Sequence, residues 1–256
     1  MVGACRALTR VEGADAVGAM RRAAGRVPCA GTVGRVIWLF DLDNTLVGRA
    51  EAFGAWASAA VADAGGDGGD LAAIVAADEG GHGSKEALAR VIVDRLGWDD
   101  DLPAAIERFR AGILEHVRPY EGVLFSLDVL RDAGHRVAVV TNGTSAQQRG
   151  KVARCGIEPH VDAIVVSGEE GVAKPDPRIV EIALERLGAA DADRRRVWMV
   201  GDAAHADVAV GRAAGTRTAW VSHGQAWDGP DRPDVVAPTT REAIALAASP
   251  QGAVVD

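Results

Sequence analysis

Four short apolar runs constrain the fold of this chain more than any other feature. Val36-Ile37-Trp38-Leu39-Phe40, Val137-Ala138-Val139-Val140, Ala163-Ile164-Val165-Val166 and Val197-Trp198-Met199-Val200 show no polar alternation. A strand that is apolar on both faces must be covered on both faces, which is the condition of a parallel sheet flanked by helices. Each run stops abruptly, at Asp41-Leu42-Asp43-Asn44-Thr45, Thr141-Asn142-Gly143, Ser167-Gly168 and Gly201-Asp202. Two weaker runs follow, Thr218-Ala219-Trp220-Val221 and Val235-Val236. Leu124 to Ala133, Ala146 to Cys155 and Pro177 to Leu187 carry helical spacing, and a glycine follows each as a stop. Strands alternating with helices imply right-handed crossovers and an α/β fold. Such sheets bind ligands off the carboxyl ends of their strands, where all these polar clusters fall.

Residues 49–118 break the alternation. Ala50 to Ala64, Asp70 to Ala77, Ser84 to Leu96 and Leu102 to Val117 read as helices. The glycine clusters at 65–69 and 80–83 separate the first three. An all-helical domain is therefore expected over 49–118, inserted into a core made of 35–48 and 119–250. Residues 1–34, rich in Ala, Gly and Arg, read as an N-terminal extension without fixed order. Val11 to Arg22 is at best a short helix weakened by Gly13 and Gly18, and the true start codon is expected further downstream.

The 256 residues, 48% hydrophobic and 25% charged, suit one domain carrying an insert. A net charge of −8 speaks against non-specific nucleic-acid binding. Cys5, Cys29 and Cys155 are too few and too far apart for a disulfide scaffold or a zinc site, and Cys155 reads as a buried small hydrophobe. No apolar run approaches membrane-spanning length. Arg21-Arg22 lacks the apolar stretch of an export signal, so the expected location is the cytoplasm. The Ala and Arg usage suits a GC-rich bacterial genome.

Asp41 and Asp43 close the first run. Two apart on extended backbone, they are expected to face one spot, where two carboxylates repel unless a cation or proton intervenes. A single turn or helix cap has no need of such a pair. Asp41-Leu42-Asp43-Asn44-Thr45 resembles the first motif of the haloacid dehalogenase-like hydrolases, Asp-x-Asp-x-Thr after the first strand. Thr141 resembles their second motif, Lys174-Pro175 their third, and Gly201-Asp202 with Asp207 their fourth, in the right order over about 35–250. A helical cap of the C1 type between the first two motifs is also in place. Asn44 stands where Gly is frequent, and Ala203 where Ser is common.

The resemblance implies a Rossmann-like parallel-sheet core with an inserted all-helical cap, and Mg²⁺-dependent hydrolysis of a small phosphomonoester. Asp41 would attack phosphorus, needing no base because it is already ionised. Asp43 would act as general acid and then general base. Mg²⁺ would be held by the Asp41 side chain, the Asp43 carbonyl and Asp202, with Asp207 acting behind them or through water. Thr141 and the Asn142 N–H would bind the phosphoryl group, and Lys174 would neutralise its charge. Lysine is rare here, at positions 85, 151 and 174, so the ammonium at 174 is more than a solvated surface charge.

Substrate choice is expected to rest with the cap. Arg49 would grip a second anion or stand as a solvated hinge residue. His82 and Lys85 would descend into the site from the glycine-rich loop. His205 reads as a loop histidine without a role, and Asp99-Asp100-Asp101 as a solvated turn. Trp56, Trp98 and Phe109 read as the cap's own core, and Ser84 as a helix cap. The alternatives are a phosphomutase, a haloacid dehalogenase, which needs neither metal nor a second acid at 43, and a catalytically silent binding module. Oligomeric state is left open.

Overall fold

A computed structural model describes residues 35–249. The expected helix at Val11 to Arg22, the proposed extension, Cys5 and Cys29 all lie outside the described residues. The six strands are β1 Ile37–Phe40, β2 Arg136–Thr141, β3 Ala163–Val166, β4 Val197–Gly201, β5 Arg217–Val221 and β6 Val235–Ala237. They form one sheet in the order β3-β2-β1-β4-β5-β6, with every pairing parallel.

The strands lack polar alternation because both faces are covered. Trp38 and Phe40 point to one side, with Val137, Val139, Trp198 and Val200, and Trp38 stacks on Trp198 with ring centroids 6.0 Å apart. Ile37 and Leu39 point to the other, with Ala138, Val140, Val197 and Met199. Strand order reverses beside β1, which lies between β2 and β4, so the crevice at the carboxyl ends of these three strands is the ligand position of the fold.

Residues 49–118 hold four α-helices: α1 Arg49–Asp63, α2 Gly68–Asp78, α3 Lys85–Leu96 and α4 Leu102–His116. Their starts follow local chemistry. Asp67 and Asp70 close a capping box on α2, the Ser84 hydroxyl accepts from the Ala87 N–H at α3, and Asp101 accepts from Ala104 at α4. The Asp99–Asp101 stretch is thus a helix cap rather than only a solvated turn. Phe53, Trp56 and Phe109 pack together, with centroids 5.5 to 6.4 Å apart. The Trp56 ring occupies the space where a Cβ on Gly112 would stand. Trp98 meets Trp56 edge-on at the rim of this cluster, under the Arg108 guanidinium.

The remaining helices are α5 Val123–Asp132, α6 Ser145–Arg154, α7 Ser167–Glu170, α8 Arg178–Arg186, α9 Ala209–Ala213 and α10 Thr240–Ala247. A single π turn, Ala204–Val208, precedes α9. The short α7, the π turn and α9 are too brief to display a hydrophobic period, and sequence reading does not find them. No described helix is long and apolar enough to cross a membrane.

Candidate active site

Asp41 follows β1 directly, and its N–H donates to the Val200 carbonyl at 2.9 Å, so sheet register fixes its place. Thr141 ends β2 and Asp202 follows β4. Asp207 lies in the π turn and folds back, its Oδ2 accepting from the Ala203 N–H at 2.9 Å. Its carboxylate fills the space where a Cβ on Gly201 would stand, so the glycine before Asp202 is a steric requirement. Asp41, Asp202 and Asp207 each offer an oxygen, and the three oxygens lie within 4.8 Å of one another.

Lys174 enters from the loop between α7 and α8. Its Nζ donates to Asp41 Oδ1 at 2.5 Å, Asp207 Oδ1 at 2.7 Å and the Val140 carbonyl at 2.9 Å. The Asn142 side chain secures this loop, donating to the Lys174 carbonyl and accepting from the Lys174 N–H. Three buried or half-buried carboxylates face one ammonium. Burial pushes the Asp41 carboxyl up, only partly offset by Lys174. Burial, then Asp41 and Asp207, push Asp202 up as well. Burial alone would lower Lys174, but Asp207 and Asp41 hold it above its usual value. Oxygen donors converging with surplus negative charge fit a hard divalent cation.

Asp43 lines the same cavity as Asp41, but its carboxylate keeps different company. The β1 strand ends at Phe40, and Asn44 turns the chain at φ +53°. That left-handed conformation suits Asn or Gly and accounts for Asn44 where Gly is frequent. The Asp43 carboxylate is not part of the three-acid cluster. It accepts from Lys151 Nζ at 2.7 and 2.5 Å and from Gln148 Nε2 at 3.2 Å. Burial works against its charge, yet Lys151, then the Arg49 charge, hold it below the usual carboxylate range.

These groups surround a cavity of about 130 Å³, with Asp41, Asp43, Lys174 and Asp202 facing Arg49 and His82. Thr141, at the end of β2, is almost fully buried and is not among the residues that line it. A larger open groove of about 750 Å³ between α5 and α10 contains none of the three clustered carboxylates or Lys174.

Residues 37–215 match the model of the haloacid dehalogenase-like hydrolases. The chain belongs to the haloacid dehalogenase-like hydrolases. It is 36% identical over 133 residues to the pyrimidine 5'-nucleotidase YjjG of Escherichia coli, covering 52% of this chain and 56% of that protein. It is 37% identical over 113 residues to a phosphoserine phosphatase of Thermus thermophilus, covering 44% of each. The chain thus spans about half the length of the curated relatives it matches. The HAD-hydrolase YfnB of Bacillus subtilis, solved bound to magnesium, superposes with a TM-score of 0.71 at 19% identity, over 84% of this chain and 99% of that one; this likeness is one of fold.

This haloacid dehalogenase-like hydrolase disposes of its other candidates unequally. Arg49 is neither a solvated hinge residue nor free to grip an anion. It is buried and bound on both guanidinium arms by Asp78, with Nη2 donating to Oδ1 at 2.7 Å. Lys85 does not line the cavity, because its Nζ donates to the Gly81 and Gly83 carbonyls at 2.7 and 3.1 Å and ties the glycine loop together. His82 does line it, and so does His205, which was expected to have no role. The two rings meet edge-on with centroids 4.9 Å apart. Burial, then His205, hold His82 below its usual value. Sequence reasoning missed Gln148 and Lys151 altogether, although they lie three apart on α6, on one face of the helix that follows Thr141.

Proposed function

We propose that this chain is a Mg²⁺-dependent phosphatase of small phosphomonoesters that works through a phosphorylated Asp41, with residues 49–118 acting as a cap. The observation that carries this reading is the convergence of Asp41, Asp202 and Asp207 with Lys174 at the carboxyl ends of β1 and β4. The phosphatases among its relatives support the substrate class. Asp41, Asp202 and the Asp43 carbonyl would hold the cation, with Asp207 behind them or through water; when bound it offsets the negative charge of the phosphoryl oxygens.

An Asp41 oxygen attacks phosphorus, and the ester oxygen departs with a proton from Asp43. Water then attacks the aspartyl phosphate, gives its proton to Asp43, and releases phosphate with Asp41 restored. Resting Asp43 is ionised against Lys151, the form the second half needs. The first half needs the protonated form, which the approach of a phosphate dianion favours by repelling the carboxylate. Lys174 holds Asp41 in place and meets the charge developing on the phosphoryl group. A carbon–halogen hydrolase would have no use for the three-acid cluster or for Asp43.

The test is phosphate release from a panel of phosphomonoesters, with Mg²⁺ or with EDTA, by wild type and Asp41→Asn. Release should require metal and fall by more than about a thousandfold in the variant. Substantial turnover by folded Asp41→Asn would refute the mechanism.

A further inference from the structure

Gln148 and Lys151 are almost fully buried, and nothing in the mechanism above uses them as reactants. Buried polar side chains of this kind must satisfy one another, and their donor and acceptor capacities fix how they can do so. An ammonium donates and never accepts. Lys151 Nζ donates to Gln148 Oε1 at 2.8 Å, so the carboxamide oxygen must face Lys151 and the NH₂ must face the other way. That NH₂ lies 2.5 Å from Thr141 Oγ1 and 3.2 Å from Asp43 Oδ2. Asp43 takes two donations from Lys151 and faces the same NH₂, an arrangement that fits this orientation a second time.

Thr141 Oγ1 is therefore an acceptor toward Gln148. A hydroxyl that accepts from one neighbour keeps its own proton for another. Among the described residues, Thr141 donates that proton to no side chain.

We propose that Gln148 and Lys151 are positioning residues for the phosphoryl site: Lys151 fixes the Gln148 carboxamide, and the carboxamide fixes the Thr141 hydroxyl as a donor toward a phosphoryl oxygen. This rests on the phosphatase reading together with the family expectation that Thr141 binds the phosphoryl group. The same face of α6 holds Asp43, so one helix sets the polarity of both groups before substrate arrives. A preset donor loses no freedom on binding, which is the advantage of preorganisation.

The test is a double-mutant cycle read by binding of orthovanadate to the full chain with Mg²⁺, measured by calorimetry. Gln148→Met and Thr141→Val should each weaken vanadate about tenfold, the loss of one hydrogen bond to a charged group. The double variant should be no weaker than Thr141→Val alone, because Gln148 acts through Thr141. Gln148→Glu, which only accepts, should draw the Thr141 proton to itself and weaken vanadate more than Gln148→Met does. Lys151→Met should weaken vanadate in the wild-type background and add nothing in the Gln148→Met background. Melting curves identify any variant that does not fold; if Gln148→Met fails, the isosteric Gln148→Glu paired with Thr141→Val carries the cycle. Effects that multiply, or wild-type affinity in Gln148→Glu, overturn the proposal. If wild type releases phosphate and the effects multiply, only this inference falls. If wild type neither releases phosphate nor binds vanadate, the phosphatase reading falls and takes this one with it.

Discussion

Cys155 follows α6 with 6% of its surface exposed, and burial pushes its thiol up to about 11. At neutral pH it is a protonated thiol and a poor nucleophile. The folded value lies above that of an unfolded cysteine, about 8.5. Its stabilising contribution is therefore complete below that pH and is lost as pH rises toward the folded value. Native protein treated with iodoacetamide at pH 8 should leave the Cys155 peptide unmodified in mass mapping, while protein in urea should be labelled fully. Rapid native labelling of Cys155 would contradict its burial. The lysines show what residue-level reading can and cannot find. Scarcity beside abundant Arg marks Lys174, and the same scarcity applies to Lys151, which is equally buried. Lys174 was legible because Pro175 and a motif flank it. Lys151 was not, because its partner Asp43 is 108 positions away and is reached only through the fold. Lys85, the third, turns inward to two carbonyls, so a cation in a glycine-rich loop is no sign of reach into a cavity.

The strands were legible almost to the residue, since a short run that is apolar on both faces fits a parallel strand with helices packed on either side. The four helices after β1 were legible too, from their periodicity and the glycine clusters between them. The turn that carries Asp207 was not. Its backbone winds as a single π turn, five residues without a repeating apolar face. What it achieves is visible only in space: it returns Asp207 under Gly201 and against Lys174. This gives Gly201 a role that its own conformation does not require. Gly201→Ala should force the Asp207 carboxylate off Lys174 and the Ala203 N–H. Overpacking of this kind costs about 1–3 kcal/mol, a fall in Tm of roughly 2–4 °C per kcal/mol at this size. Turnover should fall much further than stability, because a displaced Asp207 disturbs the whole acid cluster. Thermal melts and phosphate release on the same sample check this, and an active Gly201→Ala with unchanged Tm would show that the site tolerates the displacement.

The helical segment and the sheet core meet over the cavity, and their meeting bears on which esters the proposed phosphatase should prefer. Asn44 Nδ2 donates to the Gly80 carbonyl, while Arg49 and Asp78 join the start of α1 to the end of α2. The loop carrying His82 is thereby held above the acids, against His205 of the core. Among the described residues lining the cavity, the basic side chains are Lys174, Arg49, His82 and His205. Lys174 is engaged by Asp41 and Asp207, and Arg49 by Asp78. His82 is held below its usual value, first by burial and then by His205, so at neutral pH it offers a neutral imidazole. A neutral imidazole serves a hydroxyl better than a carboxylate, and a second substrate anion would also lie near Asp43 without a free cation to match it. Esters with uncharged, hydroxylated leaving groups, such as glycerol phosphate, ribose 5-phosphate and nucleoside monophosphates, should therefore exceed carboxylated ones, such as phosphoglycolate and phosphoserine, by roughly tenfold or more in kcat/KM. His82→Ala should narrow that gap mainly through KM while leaving Tm and the need for Asp41 unchanged. A panel in which the carboxylated esters lead would mean that Arg49 leaves Asp78 when substrate binds, and Asp78→Asn, which frees that guanidinium, would then be expected to widen their lead.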